Sequence, residues 1–162
     1  MFAKVLACLM TFLVWLFPFL KPQINSLSAE IVAKNLMQAI ATKDTDLFTD
    51  QLCHNIKQTV EDLPGKINEL FDAIDGELVD FTWTTMGGYL ERRNNGRIIQ
   101  QNILTIDFTT TEGSYRLSGT LEFYNSFQPK EMGMRQITLR DDPTALEWVV
   151  QIRAEIVGGW HE

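Results

Sequence analysis

The chain opens its patterned region at Ser28, a residue suited to cap a helix. Ile31, Val32, Leu36, Ala39 and Ile40 then recur at helical spacing until Thr42-Lys43-Asp44 interrupts them. Asp44 can cap a second helix carrying Leu47, Phe48 and Leu52, with Ile56 and Val60 continuing its face. The third helical pattern is the clearest. Pro64 suits a first turn, Ile67, Leu70, Phe71 and Ile74 fall at i, i+3, i+4 and i+7, and Gly76 suits the C′ position. Three helices are therefore predicted ahead of everything else.

After Gly76 the period changes to two. Val79, Phe81 and Trp83 alternate with Asp80, Thr82 and Thr84, as in a half-buried antiparallel strand over Glu77 to Thr85. Gly87-Gly88 loosens the chain and Asn94-Asn95-Gly96 supplies a turn. A second strand is predicted from Arg97 to Thr109, with Leu104, Ile106 and Phe108 on one face. Glu112-Gly113 turns it back into Tyr115, Leu117, Leu121 and Phe123, which alternate with polar residues and complete a hairpin. Ile137 and Leu139 mark a further strand within Gly133 to Asp141. In the tail, Asp142-Pro143-Thr144-Ala145 resembles a helix start, yet Leu146, Trp148, Val150, Ile152, Ala154 and Ile156 occupy every even position. A strand from Glu147 to Val157 is the reading adopted. Helices first and strands afterwards specify an α+β domain: three N-terminal helices packed on a curved antiparallel sheet of four to five strands.

Several of these segments together resemble a family of small exported bacterial proteins of unknown function, whose domain is related to the nuclear transport factor 2-like (cystatin-like cone) superfamily. The segments are Ala39-Ile40-Ala41-Thr42-Lys43-Asp44, the Leu47-Phe48 pair, the block Ile67 to Glu77, the hairpin Glu112 to Leu117, and Gly133 to Asp142. The resemblance spans roughly residues 29–142 and rests on hydrophobic pattern and turn residues. It implies a cone-shaped fold with a cavity between sheet and helices. That superfamily hosts enzymes, ligand binders and interaction modules alike, so the fold by itself does not choose among them.

Residues 1–28 carry a different signal. Lys4 precedes sixteen uncharged residues, Val5 to Leu20, the pattern of a secretory signal peptide. Ser26 and Ser28 would stand at −3 and −1 of a cut before Ala29. An uncleaved membrane anchor is the alternative, although the run is short for a span and Pro18 weakens its end. Cys8 follows Val5-Leu6-Ala7 in the manner of a lipidation site, but it precedes most of the apolar run, which argues against that modification. The domain proper is then residues 29–162, exported and either secreted or membrane-anchored on the extracytoplasmic side.

Composition narrows the partners. The chain has 162 residues, 45% of them hydrophobic, and a net charge of −7. Loss of Lys4 and Lys21 with the leader leaves 12 basic and 21 acidic residues, hence −9. Scattered Lys and Arg in an acidic chain argue against nucleic acid, and membrane contact is expected only through residues 5–20 if they are retained. Without the leader Cys53 is the only cysteine, so no intramolecular disulfide can form, and a buried small hydrophobe is expected.

Candidate chemistry is sparse. His54 and His161 have no Cys or His neighbours at metal-ligand spacing, and no phosphate-binding, dinucleotide-binding or nucleophile-elbow motif occurs. Gly87-Gly88 and Gly158-Gly159 read as turns or bulges. Asp80, Asp107 and Glu122 fall on the polar strand face, which removes the best-placed bases for an acid–base enzyme inside a cone. No cofactor is implied, and a non-catalytic role is the reading preferred.

By strand parity Gln100 and Asn102 share the face of Leu104, Ile106 and Phe108, and Arg135 shares that of Ile137 and Leu139. With Trp83 and Tyr115, these polar residues form the candidate ligand site, apolar walls with few polar groups, in which Arg135 would favour a carboxylate or similar anion. The competing reading is a bulge that resets parity and turns Gln100, Asn102 and Arg135 to solvent. Trp148 is expected in the core, and Trp160, after two glycines, is a candidate anchor. The preferred function is protein interaction through an open sheet face rich in Thr82, Thr84, Thr105, Thr109 and Thr120. The alternative is a small-molecule-binding cone or an enzyme with its pocket between sheet and helices.

Overall fold

The computed structural model describes residues 27–92, 98–144 and 149–153. Helix α1 (Ala29–Thr42) buries Val32, Ala33, Leu36, Met37, Ala39 and Ile40 along one stripe, and Lys43 ends it in a left-handed conformation with φ 52°. Helix α2 (Thr45–Asp50) is capped by Asp44, whose carboxylate accepts from the Leu47 N–H at 2.9 Å. Helix α3 is His54–Thr59. Helix α4 (Leu63–Asp72) is capped by Asp62 and carries Pro64 in its first turn.

Among the described residues four helices thus stand where three are predicted. The expected second helix breaks at Gln51–Cys53 because the backbone there is engaged by a strand: Cys53 N–H donates to Met134 O at 3.0 Å and Met134 N–H to Gln51 O at 2.8 Å. Gly133, at φ 132°, makes room for this contact, since a Cβ there would stand within 3 Å of Gln51 O and Cys53 N. The last helix also stops earlier than expected, at Asp72. Ala73 is its C-cap, and Gly76 lies beyond the C′ position, in the turn to the first strand.

The six strands are β1 (Leu78–Arg92), β2 (Ile98–Thr110), β3 (Ser114–Asn125), β4 (Gly133–Met134), β5 (Gln136–Arg140) and β6 (Val150–Arg153), with a short 3₁₀ turn at Pro129–Glu131. They form one open antiparallel sheet in the order β1-β2-β3-β5-β6, β4 pairing with β3. The count exceeds the expected four to five because the predicted strand Gly133–Asp141 divides. Leu121 faces Met134 and Ser118 faces Thr138, so one extra residue is accommodated at Arg135–Gln136 as a bulge. Gly87-Gly88 does not end β1. The strand continues through them with a register shift between Met86 and Tyr89. In the tail, Val150–Arg153 is strand. Trp148, Trp160, His161, Gly158-Gly159 and the leader segment 1–26 lie outside the described residues.

One face of the sheet carries Leu104, Ile106, Phe108, Tyr115, Leu117, Leu121, Ile137, Leu139 and Ile152, all buried in a single core with the helical stripes. Phe71 of α4 meets Phe48 of α2 edge to face, ring centroids 5.6 Å apart. Cys53 is buried in this core and free, as expected.

Candidate functional site

The start of α1 closes down on the sheet where Leu27 N–H donates to Phe123 O at 2.9 Å. Between them lies a cleft of about 280 Å³ whose walls include Leu27, Trp83, Thr85, Asn102, Leu121 and Phe123. Trp83 and Asn102, two of the five candidate site residues, therefore share one cleft on the core side of the sheet. The Asn102 amide is already engaged. With its nitrogen turned to the main chain it donates to Gly87 O at 2.7 Å and to Gln101 O at 2.9 Å, so it pins the glycine bulge of β1 to β2.

The other three candidates are elsewhere. Gln100 is half-buried and faces Tyr124 across a register irregularity in the β2–β3 pairing, and it is not among the residues lining the cleft. Tyr115 is buried at the far end of β3, stacked on Phe108 at 5.4 Å, and its hydroxyl accepts from the Asp75 N–H at 3.0 Å. It fastens the α4–β1 connection to the sheet. Arg135 does not turn inward. The bulge at Arg135–Gln136 resets the parity, and its Nη1 donates to Glu122 Oε2 at 2.8 Å on the opposite face from Leu121.

That face holds the most organised polar cluster among the described residues. Glu122 is wholly buried, yet both carboxylate oxygens are satisfied. Oε2 accepts from Arg135 and from Gln101 Nε2 at 2.7 Å, and Oε1 from Asn125 Nδ2 at 2.6 Å. Asn125 reaches Glu122, three residues away, because the same irregularity in β2–β3 pairing brings both to one face. Its own Oδ1 accepts from Phe127 and Gln128 N–H groups, which shapes the turn after β3. The parity of Glu122 is legible in the sequence; its burial is not, because the residues that enclose it come from β2, from β3 and from the bulge between β4 and β5.

Further along this face, Asp107 and Arg116 stand directly opposite one another and form a bidentate pair at 2.6 and 3.0 Å. Bonding to Asp107 raises the Arg116 guanidinium above its ordinary value. The third Arg116 nitrogen, Nη1, donates to Pro143 O at 3.0 Å. Glu131 is another acid held by the fold, its carboxylate accepting from Asn55 N–H at 3.1 Å at the start of α3.

A wider cleft of about 400 Å³ opens at the other end of the helices, lined by Ile40, Lys43, Phe71, Ile74, Glu77 and Thr110. An ion pair at its rim, Lys43 with Asp72 at 3.7 Å, is solvent-exposed. Among the described residues no group of three or more His, Cys, Asp and Glu side chains is placed to hold a metal ion, and no helix is long and apolar enough to cross a membrane. Glu122 and Asp107 are committed to hydrogen bonds with their neighbours. What the geometry offers among the described residues is an exposed sheet face and two small clefts of mixed polar and apolar lining.

No curated protein matches the chain. Residues 35–145 match a family model described as a domain of unknown function (DUF5104). As the match spans well over half of the sequence, the chain belongs to the DUF5104 family.

Proposed function

We propose that the chain is an exported, non-catalytic domain that engages another protein through the outer face of its open sheet. The observation that carries this reading is the state of that face over β1 and β2. Thr82, Thr84 and Met86 are exposed there, with Met86 68% and its cross-strand neighbour Ile103 52% accessible. Large apolar side chains set among threonines on an uncovered sheet are the composition of a docking surface. Export rests on the uncharged run Val5 to Leu20 behind Lys4. A nuclear transport factor 2-like, cone-shaped arrangement belongs to the same proposal, supported by the order of helices followed by an antiparallel sheet.

The test is crosslinking in the producing cell. The wild-type chain should be protected from cytosolic labelling and should yield a discrete heteromeric adduct, which Ile103→Glu combined with Thr105→Arg removes without changing the melting temperature. An adduct undiminished by that double variant would defeat the face assignment, and intact chain in the cytosolic fraction would defeat export.

A second reading, small-ligand binding, is favoured by one observation: Trp83, Phe123 and Leu121 wall the cleft under α1. Its volume of about 280 Å³ suits only a small molecule. Chemical-shift changes confined to Leu27, Trp83 and Phe123 on adding such molecules would support it over the interaction role.

A further inference from the structure

The long edge strand of the sheet raises a question separate from its outer face. Among the described residues β1 pairs only with β2. Phe81 stands opposite Phe108, but its N–H is directed at the carboxylate of Asp80 in its own strand, at 2.8 Å. In an antiparallel ladder the main-chain groups of alternate residues point to opposite neighbours. The groups of Phe81, Trp83 and Thr85 therefore face the free edge, while Thr82, Thr84 and Met86 bond to β2.

Native sheets guard such edges with lysine, proline, bulges or very short strands. β6, the other edge, is described over Val150–Arg153 only. β1 has register shifts between Leu78 and Asp80 and between Met86 and Tyr89, but the stretch between them, Asp80 to Met86, keeps an unbroken register and contains no Lys, Arg or Pro. Its sole charge is Asp80. Thr82, Thr84, Thr85 and Met86 are exposed along this stretch and Trp83 is 37% accessible.

We infer that this edge pairs with the same edge of a second copy of the chain, antiparallel, about a two-fold axis at Trp83. In that register each copy exchanges main-chain hydrogen bonds at residues 81, 83 and 85, with the Asp80 carboxylate swinging off the Phe81 N–H. Trp83 faces Trp83 on the core side, Phe81 faces Thr85, and Thr82 faces Thr84 on the outer side. A chain of net charge −7 resists self-association wherever acids meet. Here Asp80 is set opposite Met86, so no like charges are juxtaposed. The symmetric pair also covers two half-exposed tryptophans with one contact, an isologous interface of the commonest kind. The edge of the sheet is used in this pairing, and its outer face stays free for whatever docks there.

Sedimentation of the full chain in detergent micelles tests it. The wild type should show twice the monomer mass in its protein component, dissociating on dilution, with an exciton couplet in the circular dichroism of the facing tryptophans. Thr85→Pro removes an edge N–H without touching the β2 ladder, and Trp83→Lys sets two ammonium groups opposite each other. Both should sediment as monomers with an unchanged far-ultraviolet spectrum. Ile31→Lys, an exposed substitution on α1, should remain dimeric. A wild type that stays monomeric at every concentration overturns the inference, as does a dimer that survives both edge variants, or an edge that captures an unrelated extended peptide while the chain remains monomeric. The face variant Ile103→Glu with Thr105→Arg should leave the dimer intact, so loss of a docking partner and loss of the dimer are read separately.

Discussion

Arg135 and Glu122 are joined at 2.8 Å across the outer face of the sheet, the arginine side chain 40% accessible and the carboxylate completely buried. The pair is asymmetric in consequence. Glu122 has no access to water, so its charge depends on Arg135, Gln101 and Asn125 for every hydrogen bond.

Removing the arginine leaves a buried carboxylate with amide donors alone. Breaking a fully buried pair costs about 3–5 kcal/mol, and the partial exposure of Arg135 reduces the expected loss for Arg135→Met to about 2 kcal/mol. Adding Glu122→Gln to that variant should recover part of it, because the unpaired charge disappears. Urea denaturation of the single and double variants measures both. A loss below about 0.5 kcal/mol would mean that the two amides suffice to hold the charge.

Gly119 is required for space. A Cβ built on it would collide with the Gln136 carbonyl oxygen and stand 2.7 Å from the Met134 side chain. The bulge between β4 and β5 thus lies directly on β3. Gly119→Ala must push backbone apart, and about 3 kcal/mol of destabilisation is expected, at the upper end of overpacking effects. Thermal unfolding indistinguishable from wild type would show that the bulge yields freely.

Phe71 packs edge-on against Phe48 and is 2% accessible. It ties α4 to α2 beneath the sheet. Phe71→Ala should lower the unfolding free energy by about 3–5 kcal/mol, as truncation of a buried aromatic does. A change under about 1 kcal/mol would mean that the helices collapse into the space without penalty.

Burial pushes the Cys53 thiol above its ordinary value, the charge of Glu131 adding to the effect. The native state therefore holds the proton to higher pH than the unfolded chain. The corresponding stability is intact below the ordinary thiol range and is lost as pH climbs from there through the raised value. A disulfide reagent should modify Cys53 only at the rate of global unfolding, and Cys53→Ala should flatten the alkaline decline in stability. Fast labelling of the folded chain at neutral pH would contradict the burial argument.

The class of fold and most of the core are written in the local periodicity of the chain. Periods of 3.6 and 2 are properties of the chain alone, so α1, the Ile67–Leu70–Phe71 stripe and the inward sets Leu104–Ile106–Phe108 and Tyr115–Leu117–Leu121 could be read directly. The polar parity of Asp107 and Glu122 was legible for the same reason. Tertiary structure decided whatever depended on insertions in a ladder. Arg135 faces outward because one extra residue between Met134 and Thr138 is absorbed as a bulge over Gly119, and no local pattern announces where a partner strand will demand it. The break between α2 and α3 has a similar origin: the main chain at Gln51 and Cys53 bonds to Met134, some eighty residues later in the sequence. Helix periodicity continues through Leu52 and Ile56, but a backbone hydrogen bond to a distant strand outweighs it. Glu122 is polar by parity and buried all the same, since Gln101, Asn125 and Arg135 enclose it only once β2, β3 and the β4–β5 bulge have met.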